Sequence, residues 1–195
     1  MIFPAPTPGG HADDWIFELL KLVMEKSGRE YVITRGTVEQ SENRNVAALA
    51  NGSNEATVLA YGTSEERESA LLPVHLPIYG GLLGYRLLAI READQHEFGK
   101  IESVQDLSMK VAIQGVTWGD VEILESNGLP VVTGDVANLY SLLKFDRGDY
   151  FPRGLTEIFS ELGNVDDPDL AIERSLMLHY PFAAFFFVAP ENFEL

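Results

Sequence analysis

The sequence predicts an α/β fold in two lobes, with mainly parallel sheets flanked by helices and two crossing strands joining the lobes. Three observations carry this. Short β-prone runs alternate with segments of helical spacing in the order β-α-β-α-β, which favours parallel pairing with helices on the sheet faces. That order occurs twice, on either side of a glycine-rich joint over residues 80–84. The chain has 195 residues, 46% of them hydrophobic and 10% aromatic, enough for one large domain or two small lobes with an ordinary core.

The first run opens on a short apolar segment over 2–4 and a loop over 5–11 rich in Pro and Gly. Asp13 or Asp14 is placed to cap a helix that carries Trp15, Leu19, Leu20 and Val23 on one face, stopped by Ser27-Gly28. A strand follows over 31–34. Ser41 caps a second helix with Val46 and Leu49 inward, closed by Asn51-Gly52, and residues 57–61 read as another strand. The second run starts with a strand over 85–91 and a helical turn over 103–107. A strand over 110–114 leads to a helix over 118–126, stopped by Asn127-Gly128. Then come a strand over 130–133, a helix over 136–145, a strand over 149–152 and a helix over 154–162. A long apolar strand over 183–189 ends the series. Lobe one is expected over 1–85 plus 183–195 and lobe two over 92–180, with 85–91 and 183–189 as neighbouring hinge strands. Ligands of open parallel sheets bind outside the carboxyl ends of strands, near helix N-termini, which places a candidate site in the crevice between such lobes.

Composition excludes several functions. A formal net charge of −16 repels nucleic acid and anionic lipid. No apolar run reaches the roughly 18 residues that span a bilayer. There is no cysteine, hence no disulfide, thiolate metal site or cysteine nucleophile. His11, His75, His96 and His179 are scattered without ligand spacing, so no metal is expected. Gly80-Gly81 and Gly84 have the wrong spacing for a phosphate loop. Asp166-Asp167-Pro168-Asp169 reads as a solvated turn and helix cap, because the alternation and closing Glu of a calcium loop are absent. No nucleophile–base pattern appears, no cofactor is implied, and the protein is not expected to be an enzyme.

Four segments carry a resemblance. They are Thr63-Ser64-Glu65-Glu66-Arg67 with Pro77-Ile78-Tyr79; Tyr85-Arg86-Leu87-Leu88-Ala89-Ile90-Arg91; Asp106-Leu107 with Lys110-Val111-Ala112-Ile113-Gln114-Gly115-Val116-Thr117; and Asp146-Arg147-Gly148-Asp149-Tyr150-Phe151. Over nearly the whole chain the sequence resembles the bacterial extracellular solute-binding proteins of the type II periplasmic-binding fold, in the branch related to polar amino-acid binding proteins of ABC transporters. Leu82 to Arg86 and Tyr150 to Gly154 look closer still to an uncharacterised branch. The resemblance implies a periplasmic protein that clamps a small molecule for a membrane transporter, as a monomer or weak dimer without membrane insertion. No signal peptide is visible after Met1, so either the chain is cytoplasmic or Met1 stands in place of a removed leader.

The resemblance implies ligand-binding roles for Thr63, Arg67, Tyr85, Arg86, Thr117, Trp118 and Arg153. Arg67 would clamp a carboxylate; otherwise it is a solvated arginine beside Glu65, Glu66 and Glu68. Thr117 and Trp118 would present a helix start to an anion; otherwise Thr117 caps the helix. Tyr79, Tyr85 and Trp118 would stack on a ligand; otherwise they are core. Three departures stand out. The loop from Gly62 to Arg67 is shorter than in amino-acid binders. Arg153-Gly154 stands where those binders place an aspartate for the ligand's ammonium. The chain stops at Leu195, where the family continues with helices, so apolar surface near Trp15 and Leu19 or over 185–187 is expected to be exposed or covered by a neighbouring chain. The second departure points to an anionic ligand without a free ammonium, held by Arg67, Thr117 and Arg153. A sensor signalling in trans is the alternative, and an enzyme on the same fold a more distant one.

Overall fold

The computed structural model describes residues 1–5, 13–38, 40–53 and 56–193. The expected loop over 5–11, with His11, lies outside them apart from Ala5. The chain divides into two units, Met1–Gly80 with Ala183–Leu195, and Gly81–Phe182.

In chain order the first unit contains β1 (Ile2–Phe3), α1 (Asp13–Lys26), β2 (Thr34–Arg35), α2 (Glu42–Ala50), β3 (Leu59–Gly62), α3 (Glu65–Ala70) and β4 (Leu72–Val74). The second contains β5 (Tyr85–Arg91), α4 (Gln95–Phe98), α5 (Val104–Leu107), β6 (Ala112–Gly115), α6 (Asp120–Ser126), β7 (Val131–Gly134), α7 (Leu139–Lys144), β8 (Tyr150–Gly154), α8 (Ile158–Val165) and β9 (Leu170–His179). The chain then returns to the first unit in β10 (Ala184–Val188).

The first unit has a three-stranded sheet in the order β3-β10-β4, antiparallel throughout, and a parallel pair β1-β2. The two are stitched together where Ile2 O accepts from Thr57 N at 2.9 Å and Thr57 Oγ1 accepts from Ile2 N at 2.7 Å. A side-chain oxygen thus replaces a missing ladder carbonyl. β10 is apolar on both faces because it is the central strand: Phe187 is fully buried and Val188 nearly so. On α1 the buried stripe is Ile16, Leu20 and Met24, at a spacing of four. Of the face expected from the sequence only Leu20 is in the core; Trp15 is 43% and Val23 48% exposed. α1 thus carries apolar residues on two stripes, and the one with a methionine rather than a tryptophan packs inward.

The second unit is built on one five-stranded sheet in the order β7-β6-β8-β5-β9. Neighbouring side chains along a strand point to opposite faces, and both faces here are covered. Leu88, Ile90, Ala112 and Tyr150 pack on one side with Phe98, Leu107 and Leu124. Ala89, Ile113 and Phe151 pack on the other with Leu139, Leu143 and Ile158. Each large apolar side chain withdrawn from water in this way contributes about 1.5–3 kcal/mol. Parallel pairing is confined to β7-β6-β8; β5 is antiparallel to both β8 and β9.

This corrects the expected pairing of β5 with the strand over 183–189. Both edges of β5 are taken, by β8 and β9, and both edges of β10 are taken, by β3 and β4. β9 itself contains a wide bulge. Leu87 pairs with Met177 and Ala89 with Ile172, so residues 173–176 stand opposite Leu88 alone. The Glu173 carboxylate turns inward to hold the bulge. It accepts from Ser175 N at 2.8 Å, Ser175 Oγ at 2.6 Å, Gln95 Nε2 at 2.8 Å and Leu176 N. Burial pushes its pKa up, but these donors outweigh burial and hold it below the ordinary glutamate value.

Candidate functional site

The seven expected ligand residues fall into a pair in the first unit and five in the second. In the first unit, Thr63 follows β3 and Arg67 lies in α3, whose N-cap Ser64 accepts from Arg67 N at 3.2 Å. Arg67 is not the solvated arginine of the alternative reading: it is 4% exposed. Its Nη1 donates to Gly62 O, its Nη2 reaches Glu42 Oε2 at 3.3 Å, and its guanidinium lies over the Tyr61 ring at 5.2 Å. Its buried Nε has no hydrogen-bond partner among the described residues. Thr63 Oγ1 donates to Glu68 Oε1.

In the second unit the expected helix over 118–126 begins only at Asp120, with Gly119 as N-cap. Thr117 is therefore not a helix cap. It lies with Trp118 in the turn between β6 and α6, both partly exposed. The helix has seven residues and carries Asp120 and Glu122 in its own first turn, so its dipole is already complemented and gives no support to an anion site. Trp118 is fixed by packing. A Cβ on Gly115 would come within 2.7 Å of the indole, so the ring lies flat against that glycine. Phe151 stacks near it at 6.2 Å and the Arg153 guanidinium lies over it at 4.7 Å. Tyr85 packs on His179, with ring centroids 4.3 Å apart.

Arg86 and Arg153 are both buried, at 2% and 9% exposure, and they share one ion network. Arg86 Nη2 contacts Asp120 Oδ1 at 2.8 Å, and Arg86 Nη1 lies 3.9 Å from Glu157 Oε2. Arg153 makes a two-pronged contact with Glu161, Nε to Oε2 at 2.7 Å and Nη2 to Oε1 at 2.6 Å, and its Nη2 lies 3.1 Å from Glu157 Oε2. Two tyrosines close the ends: Tyr180 donates to Asp120 at 2.5 Å and Tyr140 to Glu161 at 2.8 Å. Burial and these carboxylates push both phenols up. Burial alone would lower Arg153, but Glu157 and Glu161 hold it well above the ordinary guanidinium value. Aromatic faces complete the setting, with Arg86 over Phe182 at 4.8 Å and Tyr180 at 5.7 Å.

The network corrects the expected role of Arg153. Its charge is engaged by Glu161 and Glu157, so it is not a free cation waiting for an anion. The sequence marked Arg86 and Arg153 but missed Asp120, Glu157, Glu161, Tyr140 and Tyr180. For Glu157 and Glu161 there was a signal: they lie four and eight residues after Arg153, a spacing that a following helix brings back to the strand end. Among the described residues no group of three or more His, Cys, Asp or Glu is arranged to hold a metal ion, and no helix is long and apolar enough to cross a membrane.

No protein-family model matches the sequence, and no curated protein matches it. Solved structures do. The arginine-specific periplasmic binding protein of Salmonella typhimurium aligns with a TM-score of 0.69 at 15% identity, over 100% of this chain and 87% of that one. An ancestral arginine-binding protein bound to arginine aligns with a TM-score of 0.68 at 15% identity, over 99% and 85%. The GluR0 ligand-binding core from Nostoc punctiforme, in complex with L-glutamate, aligns with a TM-score of 0.61 at 14% identity, over 97% and 84%. The fold is that of the type II periplasmic binding proteins.

Proposed function

We propose that this protein is an extracytoplasmic solute-binding protein that takes a small polar, amino-acid-like ligand and presents it to a membrane transporter. The observation that carries this is the likeness over essentially the whole chain to proteins solved with arginine or glutamate bound and to an arginine-specific periplasmic binding protein. The chemistry of the two units agrees. The first unit offers a buried arginine, Arg67, with an unpartnered Nε for a carboxylate, and Thr63 beside it. The second offers Trp118, partly exposed, under the Arg153 guanidinium, with Thr117 next to it in the turn and Tyr85 partly exposed on β5.

Binding without catalysis is favoured by the neighbours themselves, which are solved as binding proteins. The test is mass spectrometry of small molecules released by denaturing the purified protein, followed by thermal unfolding with L-arginine, L-glutamine and L-glutamate. A true ligand at a hundred times its dissociation constant stabilises by about 2.7 kcal/mol, a clear rise in melting temperature. If no molecule co-purifies and no L-amino acid raises the melting temperature, the proposal fails.

A further inference from the structure

The turn that carries Thr117 and Trp118 is pinned on both sides, and the pin at its far end is a buried acid. Trp118 packs with the cluster on one face of the five-stranded sheet, flat against Gly115 and under Arg153. The chain then passes to the other face, where Leu124 of α6 and Tyr180 pack. Asp120 stands at that passage. It opens α6, a position where an acidic side chain ordinarily faces solvent and the positive end of the helix dipole. Here it is 3% exposed. Its Oδ1 accepts from Arg86 Nη2 at 2.8 Å and from the Tyr180 hydroxyl.

Both donors come from strands remote from the turn. The sheet order is β7-β6-β8-β5-β9; the turn leaves β6, whereas Arg86 lies on β5 and Tyr180 just past β9. The contact therefore spans β8. The anchor on the far side is itself tied together: Tyr180 N donates to Gly84 O at 3.1 Å, and the Arg86 guanidinium lies over the Tyr180 and Phe182 rings at 5.7 and 4.8 Å. Backbone bonds hold the start of the turn to β6 and β7, with Val116 N donating to Gly134 O at 3.3 Å and Trp118 N to Gly115 O at 3.1 Å. Asp120 ties its end to β5 and β9.

We propose that Asp120 is a positioning residue for ligand binding: without touching the ligand, it uses Arg86 and Tyr180 to hold the turn of Thr117 and Trp118 in the shape that binds. This rests on the solute-binding function proposed above, with Thr117 and Trp118 among its ligand residues. A turn held in place before the ligand arrives need not be ordered by it, and apparent affinity falls with the fraction of molecules that have the turn in place.

The experiment compares the native protein with Tyr180→Phe and Asp120→Asn. The control is Glu173→Gln, whose partners are Ser175, Gln95 and Leu176 of the β9 bulge. All are made in a Trp15→Phe background, which leaves Trp118 as the one tryptophan. L-arginine, L-glutamine and L-glutamate are titrated calorimetrically, and quenching of Trp118 fluorescence by acrylamide is read before and after ligand. For an amino acid that binds the native protein, Tyr180→Phe is expected to weaken binding about tenfold and Asp120→Asn about ten- to a hundredfold, the worth of one or two hydrogen bonds to a charged group. In the free protein both variants expose Trp118 to more quenching, and saturating ligand restores the native value. Glu173→Gln lowers the melting temperature but leaves affinity and quenching native. Tyr180→Phe removes a single hydroxyl and decides the matter should Asp120→Asn not fold. Native affinity and native quenching in the folded variants overturn the inference. So does a loss of affinity matched by Glu173→Gln with Trp118 quenching unchanged, which marks a purely structural role; either outcome leaves the solute-binding function standing. If no amino acid binds the native protein, the solute-binding proposal fails and takes this inference with it.

Discussion

Arg67 in the first unit and Arg86 in the second are almost equally buried, at 4% and 2% exposure, and each lies over aromatic rings. Their partners differ. Arg67 has a single carboxylate, Glu42, at 3.3 Å, and a backbone carbonyl. Arg86 is one node of a network of two arginines, three carboxylates and two tyrosines that ties β5, α6, β8 and α8 together. The surrounding structure differs in the same sense. The second unit has one continuous sheet covered on both faces, whereas the first joins a three-stranded sheet to a two-stranded pair through a threonine side chain. An equally buried arginine can thus be a local tether in one place and a structural keystone in another, and burial alone does not tell them apart.

Three measurements break or sharpen this contrast. The largest effect is expected from Arg86→Leu, which strands Asp120 without its cation and leaves Glu157 with Arg153 alone. Removing one side of a buried ion pair costs about 3–5 kcal/mol, read by urea unfolding. Trp118 is the one tryptophan of the second unit and Trp15 that of the first, so fluorescence of a Trp15→Phe background follows the second unit alone. A loss below about 1 kcal/mol would show that the network is not a keystone. Arg67→Met keeps most of the apolar stem and should cost less, about 1.5–3 kcal/mol, followed through Trp15 in a Trp118→Phe background. If it costs as much as Arg86→Leu, the contrast between the units fails.

The smallest effect is at Glu173. Its folded pKa lies below the unfolded value of 4.5, so its carboxylate contributes stability above the unfolded pKa, and that contribution is lost as pH falls through the folded one. Glu173→Gln should therefore melt at a lower temperature than the native protein near neutral pH, and the gap should close as the pH falls well below 4.5. A gap that persists in acid would mean that the β9 bulge is held by shape and not by charge.

How much of this is legible in the sequence varies by region for physical reasons. β5 is found to the residue, because Leu87 to Ile90 is an unbroken apolar run in a strand buried on both faces. β9 is missed, because its bulge puts Glu173, Arg174 and Ser175 in the middle of what would otherwise be an apolar run. The helix after β8 is expected from residue 154 and starts at Ile158; the turn between them is where Glu157 folds back to Gly154 N, a contact that local propensity does not encode. The buried face of α1 is misjudged because Trp15 and Val23 give a second apolar stripe that periodicity cannot rank against Ile16 and Met24. At the site, the arginines stand out in a chain of net charge −16; Glu157 and Glu161 are signalled only by their spacing from Arg153, and Asp120, on a separate element, becomes visible only when α6 packs against β5.

The position of β10 bears on the order in which the molecule can be made. It is the central strand of the first unit's sheet, yet it comes from residues 184–188, more than a hundred residues after β4. As the chain leaves the ribosome, β3 and β4 emerge with no strand between them and cannot pair with each other across the gap. The second unit is contiguous from Gly81 to Phe182 and has every strand it needs before β10 appears. Nascent chains fold domain by domain as segments become available, so the second unit is the one able to fold during synthesis. The first waits, with the unpaired backbone groups along the inner edges of β3 and β4 open, until its last strand arrives.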